Sequence, residues 1–441
     1  MSLEPDRVER LRKKLYEKAK REPAFRFYTL YDKVCWAETV ERAYRQAKAN
    51  AGAAGVDGIR FEDIEAYGES RWLAELRQEL VEEVYHPQPV RRVMIPKPGG
   101  GERPLGIPTI RDRVVQSAVV LVLEPIFEAD FEDNVYAYRP ARSAHDALGE
   151  VRERLYGGQK HVVDADVTKY FDTIPHAELL QSVARRVSDG KILRLLKLWL
   201  KSPVEERDER GNRRMTGGKK SKRGTPQGGV VSPLLANLYM NRLLRHWKKT
   251  GVSKRLGRIV SYADDFVILC ASRRQAEESL ALVSRWLEKL GLAIHPTKTR
   301  LCHAQEEPFD FLGYTFGPTR HWLSGGQMLT ARPSKKSQKR VKEKINTLLK
   351  RGNPTPWPEL RDRLNRLLSG WVGYFSFGYT GQADTAVRWH VLDRVRRFLC
   401  RRHKLRVSGT RRFGYTEVFG EMGVIDLHQM RLQRRLVHAL S

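Results

Sequence analysis

Apolar positions recur along this chain with two periods, and the period changes divide it into segments. Near the N-terminus Val8, Leu11 and Leu15 fall on one helical face, as do Val40, Tyr44 and Ala47, so the first fifty residues predict helices. Residues 51–58 (AGAAGVDG) interrupt the pattern with glycine. A helical stretch over 72–84 follows, and Pro87 and Pro89 end it. Residues 90–95 read as a strand, 97–102 as a turn and 103–107 as the returning strand, a hairpin that carries Arg91, Arg92, Lys97 and Arg103. The run through Val114, Val115, Val119 and Leu123 predicts a buried helix over 111–127. Residues 161–166 form a short strand ending in acids. Side chains alternate across a strand, which puts Asp164 and Asp166 on one face and Val163 and Ala165 on the other. Residues 259–269 read as two strands joined by a tight acidic turn, and 309–316 as a further strand or hairpin.

The last quarter has a different texture. Val341, Ile345, Leu348 and Leu349 form one amphipathic face; Leu360, Leu364, Leu367, Leu368 and Trp371 form a second. Val387, Val391, Val395, Phe398 and Leu399 form a third, which together predict a separate helical lobe. Charge sharpens this picture. The chain of 441 residues carries a net charge of +29, and residues 332–412 hold 22 Lys and Arg against 5 Asp and Glu. So concentrated an excess suits a polyanion; nucleic acid is the expected partner and an anionic membrane surface the alternative. Residues 219–223 add a short basic loop.

Composition excludes several classes. Hydrophobic residues make up 41% of the chain, enough for real cores. No apolar run approaches the roughly 18 residues of a membrane span, and residues 1–20 lack the apolar centre of a signal peptide, so a cytoplasmic protein is expected. Cys35, Cys270, Cys302 and Cys400 form no C-x-x-C pair and indicate neither a zinc ribbon nor a disulfide framework. The segment Gly217-Gly218-Lys219-Lys220-Ser221 lacks the register of a phosphate loop.

The sharpest chemistry lies in Tyr262-Ala263-Asp264-Asp265, flanked by apolar strands. Adjacent carboxylates there are costly unless something cationic meets them. Sequence-distant Asp166 also ends an apolar strand. Brought together, these acids could hold hard divalent cations through oxygen. Two such ions about 3.5–4 Å apart can activate a 3′-hydroxyl and stabilise a leaving pyrophosphate.

Several blocks in order carry a resemblance to a known family. Residues 261–265 (SYADD) look like the catalytic hairpin of reverse transcriptases, and 163–167 (VDADV) with 170–176 (YFDTIPH) like the block supplying the first catalytic Asp. Residues 223–237 (RGTPQGGVVSPLLAN) resemble the block between them. Ile95-Pro96-Lys97-Pro98, Arg103–Thr109 (RPLGIPT), Tyr138-Arg139-Pro140 with His145-Asp146-Ala147, and Gly370–Phe375 (GWVGYF) are similar to blocks of group II intron reverse transcriptases, also called maturases.

The resemblance implies an α+β fold: right-hand fingers and palm with an antiparallel palm sheet, then a helical thumb. The boundaries expected are an N-terminal helical extension over 1–50, fingers and palm over 51–320, a thumb or maturase domain over 321–412 and a short segment over 413–441. It implies catalytic roles for Asp166, Asp264 and Asp265, and a metal set of Asp166, Val167, Asp264 and Asp265 for two Mg²⁺ ions, with Mn²⁺ as a substitute. Lys97, Arg103, Phe171, Gln227 and Tyr262 would meet the incoming nucleotide, Phe171 as the gate against a ribose 2′-hydroxyl. Asp172, Arg139 and His145 match the family but could equally be structural. Implied partners are an RNA template, a DNA or RNA primer, dNTPs and a structured group II intron RNA, with no membrane. The basic residues of the first helix, such as Arg10, Arg12 and Lys13, are open between holding RNA and packing. Residues 413–441 contain no cysteine and are short for the endonuclease often found in this family, so target-DNA cleavage is not expected. The rival readings are a splicing maturase that binds RNA without using its polymerase, and a domesticated reverse transcriptase in defence or DNA repair. An RNA-dependent RNA polymerase is a further rival, which Phe171 opposes.

Overall fold

A computed structural model describes residues 6–96, 101–207, 211–320, 326–405 and 412–440. The chain divides into two compact units, one of residues 1–147 with 163–301, the other of 148–162 with 302–441. The described strands, in chain order, are β1 (Val90–Pro96), β2 (Glu102–Ile107), β3 (His161–Asp166), β4 (Pro203–Arg207), β5 (Arg213–Gly217), β6 (Gly257–Tyr262), β7 (Asp265–Cys270), β8 (Arg300–His303), β9 (Phe309–Phe311), β10 (Tyr314–Arg320) and β11 (Gln327–Pro333).

The first unit is organised around the helix Ile110–Glu128, which is buried on nearly every side and so shows little amphipathic pattern. Thr109 caps it by accepting the Asp112 N–H at 3.1 Å. Asp112 is itself buried, and its carboxylate accepts from the Tyr85 hydroxyl (2.6 Å), the Thr109 hydroxyl (2.8 Å) and the Gln88 N–H (3.2 Å). That satisfies a group whose burial would otherwise be expensive. The helices Arg7–Arg21 and Ala37–Ala49 pack on this central helix through the faces read from sequence, with Val8, Leu15, Val40, Tyr44 and Ala47 all buried.

Two sheets complete the unit. One has the order β2-β1-β4-β5. In it β1 and β2 pair antiparallel, Ile95 opposite Arg103, while β1 and β4 run parallel. The other has the order β6-β7-β3-β8 and sets the two acidic strands side by side. The β4–β5 hairpin has no counterpart in the sequence reading, because its polar strands lack an apolar alternation.

In the second unit β9, β10 and β11 form an antiparallel sheet. The helices Lys335–Leu348, Trp357–Tyr374 and Gly381–Arg402 follow. Their buried faces lie on the amphipathic faces read from the sequence: Val341 and Ile345, then Leu360, Leu364, Leu368 and Trp371, then Val387, Val391, Val395, Phe398 and Leu399. Leu348 and Leu367 are only half-buried. One buried acid, Asp384, accepts from the Trp371 indole at 3.1 Å and pairs with Arg431.

Candidate active site

The acidic turn is built by β6 and β7, which stay in register up to Tyr262 opposite Asp265. That leaves Ala263 and Asp264 as a two-residue turn. Ala263 takes φ of 57°, the left-handed conformation that tight hairpins demand and that costs a non-glycine residue about 1–3 kcal/mol. The strands below are anchored in the core: Ile259, Val260, Val267 and Ile268 have no exposed surface. The outer side of β6 is braced by the following loop of the central helix. Ser261 N–H donates to the Asn134 carbonyl and Tyr136 N–H to the Ser261 carbonyl, each at 3.0 Å, and the Asn134 amide donates to the Ile259 carbonyl at 2.8 Å. Arg139 holds this loop from within. Its guanidinium binds Glu128 at 2.7 Å and the Glu132 and Val135 carbonyls at 2.8 Å. Of the two roles open for Arg139 in the sequence, the structure supports the bracing one.

Asp166 ends β3, the strand next to β7. Asp164 and Asp166 are both half-buried while Val163 and Ala165 are buried, as alternation requires. Each acid meets a cation that the sequence did not single out. Lys298 lies 2.5 Å from Asp166 and Arg300 lies 3.1 Å from Asp164. Lys298 lies in a turn and Arg300 opens the short strand β8, so neither belongs to a periodic pattern that spacing could reveal.

Burial raises the Asp264 carboxyl above its ordinary range, and Asp166 adds repulsion, while Arg103 and Lys298 oppose the shift. Asp265 keeps solvent access at its surface, yet the protein packed around its carboxyl desolvates it. With repulsion from Asp264, Asp166 and Asp164, this pushes its pKa up to about 6. The Tyr138 phenol is raised as well, by burial and then by Asp264 and Tyr262. Three carboxylates thus share one electrostatic field, with Arg103 inside its range. Among the described residues no group of three His, Cys, Asp or Glu side chains stands in ready-made metal geometry. The donor set nonetheless fits a hard divalent cation: oxygen ligands whose mutual repulsion a doubly charged ion would relieve. Beside Asp166, Val167 bridges to Ile294, and the bonds of this bridge use the Asp166 carbonyl (from His295 N–H, 2.8 Å) rather than that of Val167.

The expected nucleotide side is stitched to the same unit. Phe171, half-buried on the short helix Tyr170–Thr173, accepts the Thr225 N–H on its carbonyl at 2.7 Å, and Ile174 accepts from Gly224 at 2.9 Å. The loop that carries Gln227 is therefore clamped beside Phe171. Its other side is fixed to β2, where the Gly106 N–H donates to the Gln227 carbonyl at 2.5 Å. Gly228 takes φ of 107°, and a Cβ there would lie 2.2 Å from the Gly106 carbonyl oxygen, so only glycine allows this approach. The Gln227 amide reaches Asp172 at 3.5 Å. Arg92, Pro104, Asp172 and Gln227 help line a cavity of about 380 Å³. Tyr262 is half-buried at the end of β6. Lys97 lies outside the described residues. His145 follows a turn in which Asp146 accepts the Ser143 N–H at 2.7 Å, a helix-start cap for Ala144–Tyr156.

The site thus sets clustered carboxylates on apolar strands within electrostatic reach of the cation-bearing hairpin. Comparison with known proteins gives the class: residues 95–316 match the family described as "Reverse transcriptase (RNA-dependent DNA polymerase)", and the chain belongs to that family of RNA-directed DNA polymerases. Within it the chain is of the group II intron type, since residues 338–414 match "Group II intron, maturase-specific domain". The protein YkfC of Escherichia coli is 30% identical over 75% of this chain and 94% of its own length. The group II intron-encoded protein LtrA of Lactococcus lactis is 37% identical over 46% of this chain, a match that covers 32% of LtrA. A telomerase from Candida albicans, solved with telomeric RNA, shares 12% identity over 81% of this chain and 68% of its own, with a TM-score of 0.43, too slight to add to the assignment. In the described residues no helix is long and apolar enough to cross a membrane.

Proposed function

We propose that the chain extends a primer 3′-hydroxyl with dNTPs along an RNA template, with Asp166, Asp264 and Asp265 as the catalytic acids. The observation that carries this reading is the convergence of Asp166, Asp264 and Asp265, from strands distant in sequence, on one electrostatic field, in which burial first and then repulsion from its neighbours push Asp265 up to about 6. Asp166, Asp264 and Asp265, with Val167, would hold two Mg²⁺ ions, or Mn²⁺ in their place, which when bound supply the charge that activates the hydroxyl and neutralises the leaving pyrophosphate. The chain's own part is positioning and electrostatics. Arg103 brings positive charge toward the incoming triphosphate, and Lys97 would add to it. Gln227 and Tyr262 bound the place of the nascent pair. The Phe171 ring would act as the gate that collides with a ribose 2′-hydroxyl. The basic helical lobe would grip template, primer and a structured intron RNA, in keeping with the maturase-specific match, and its action would be in the cytosol.

The test is primer extension on a defined RNA template with Mg²⁺, dNTPs against rNTPs, beside Asp264→Ala. DNA synthesis from dNTPs that the substitution abolishes, with RNA affinity retained, is the expected result. Tight RNA binding without extension would move the function to splicing assistance alone, the second reading that the maturase-specific match favours.

A further inference from the structure

A second cavity of about 630 Å³ opens in the first unit where the helices Ser232–Lys249, Arg273–Lys289 and His176–Ala184 come together. It lies within the roughly 300–1,000 Å³ span of ligand pockets, and none of the proposed catalytic or nucleotide residues lines it. Its wall carries Arg185, Arg242, Arg245, Lys249 and Lys289. Asp130 is the one carboxylate among the described lining residues, and Arg186 claims it at 3.1 Å. Arg186 is spent otherwise too, on the Ala19 carbonyl at 2.7 Å and the Glu22 carbonyl at 2.9 Å. Among the described residues Arg185, Arg245, Lys249 and Lys289 form no ion pair. Arg242 lies over the Tyr239 ring at 5.2 Å and meets no carboxylate there.

Helix ends explain part of this charge. Arg185, Lys249 and Lys289 stand at the C-terminal ends of their helices, where cations are favoured. Each such end is worth roughly half a negative charge, so three of them answer about one and a half of five positive charges. Arg242 and Arg245 sit further back on their helix, at spacings of three and four residues from each other and from Lys249, where like charges repel. The fold keeps a surplus of about three charges around one cavity. The wall also holds rings: Trp286 is half-buried, with the exposed His246 ring against it at 4.3 Å. Cations beside an aromatic ledge are the chemistry that grips a nucleotide, phosphate on one side and base on the other.

We infer that this cavity is an accessory nucleotide-binding site, separate from the polymerase acids, that holds a segment of single-stranded RNA. A free nucleoside triphosphate presents the same chemistry, and the test separates the two sources. The full chain is compared with the triple variant Arg185→Gln, Arg245→Gln, Lys289→Gln and with an equal-charge control, Lys254→Gln, Arg274→Gln, Arg285→Gln, all three confirmed folded by thermal melting. Affinity for a labelled single-stranded RNA is measured across a salt series, ATP binding by equilibrium dialysis, and contact by crosslinking 4-thiouridine RNA with peptide mapping. The expected result is a tenfold or greater loss of RNA affinity in the site variant, with a log–log salt slope smaller by about 2, near 0.7 per lost phosphate contact. The control should change less than threefold, and crosslinks should fall on residues 242–249 or 286–290. ATP binding lost in the site variant with RNA affinity intact would assign the site to free nucleotide and overturn the RNA strand. Equal RNA losses in site variant and control, or crosslinks confined elsewhere, would overturn the site altogether.

Discussion

Two hairpins of the first unit make an instructive pair. Both are antiparallel and both bring charge toward the proposed chemistry, yet they are built in opposite ways. In β6–β7 the residues Ile259, Val260, Phe266, Val267, Ile268 and Leu269 are at most 1% exposed. In β1 the residues Val93, Met94 and Ile95 are 37–47% exposed. The acidic hairpin is rooted in the core because its carboxylates repel one another and would otherwise splay apart. The basic hairpin is not rooted in this way: it stays on the surface, braced by the pair of Arg92 with Glu206. Rigidity is concentrated where like charges must be kept together.

The comparison can be broken at several points. The largest expected effect is catalytic: Asp166→Ala should lower primer extension by at least about a thousandfold, while Arg103→Ala should cost about tenfold, mainly as a raised KM for dNTP. Similar losses in kcat from both would erase the distinction between an acidic centre and a substrate-facing cation. Next, Phe266→Ala should destabilise the protein by about 3–5 kcal/mol in urea unfolding, whereas Met94→Ala should stay within about 0.5 kcal/mol. Phe171→Ala, which removes the proposed gate, should raise ribonucleotide use relative to deoxynucleotide by about tenfold or more, read from single-nucleotide extension with each substrate. The smallest effect concerns pH. The folded chain keeps the Asp265 proton up to about pH 6, against an ordinary 3.8. Its stabilising contribution is therefore full at the acid end and is lost as pH rises through that window. Without divalent ions the urea midpoint should fall across it, and Asp265→Asn should flatten the dependence.

Much of this was legible beforehand, and the reasons are physical. The acidic strands stand out because the Asp-Asp turn, which alone would read as an exposed hairpin tip, comes with several other blocks in order. The helices of the second unit stand out because their apolar faces repeat, so Leu360, Leu364 and Leu368 report burial directly. What sequence concealed is what depends on contact across distance. Lys298 and Arg300 become partners of Asp166 and Asp164 only once β8 and the turn before it, far along the chain, return to β3. The β4–β5 hairpin is polar and gains its place by pairing with β1. Arg12, one of the helix cations left open between RNA and packing, donates to the Leu121 carbonyl at 2.7 Å and pairs with Glu124, which favours packing.

The loop laid along β6 has a consequence of another kind. In the sheet order β6 is an outer strand, and outer strands expose backbone groups that can recruit a second chain. Here the outward groups of Ile259 and Ser261 are taken by Asn134 and Tyr136, and the Gly257 carbonyl accepts the Trp247 indole at 2.8 Å. The brace that steadies the acidic turn also closes this edge of the sheet to strangers. A protein that must stay dispersed while its charged surfaces engage long polymers thereby gains protection from strand-by-strand self-association, and loosening Arg139 would put that dispersal at risk along with the turn.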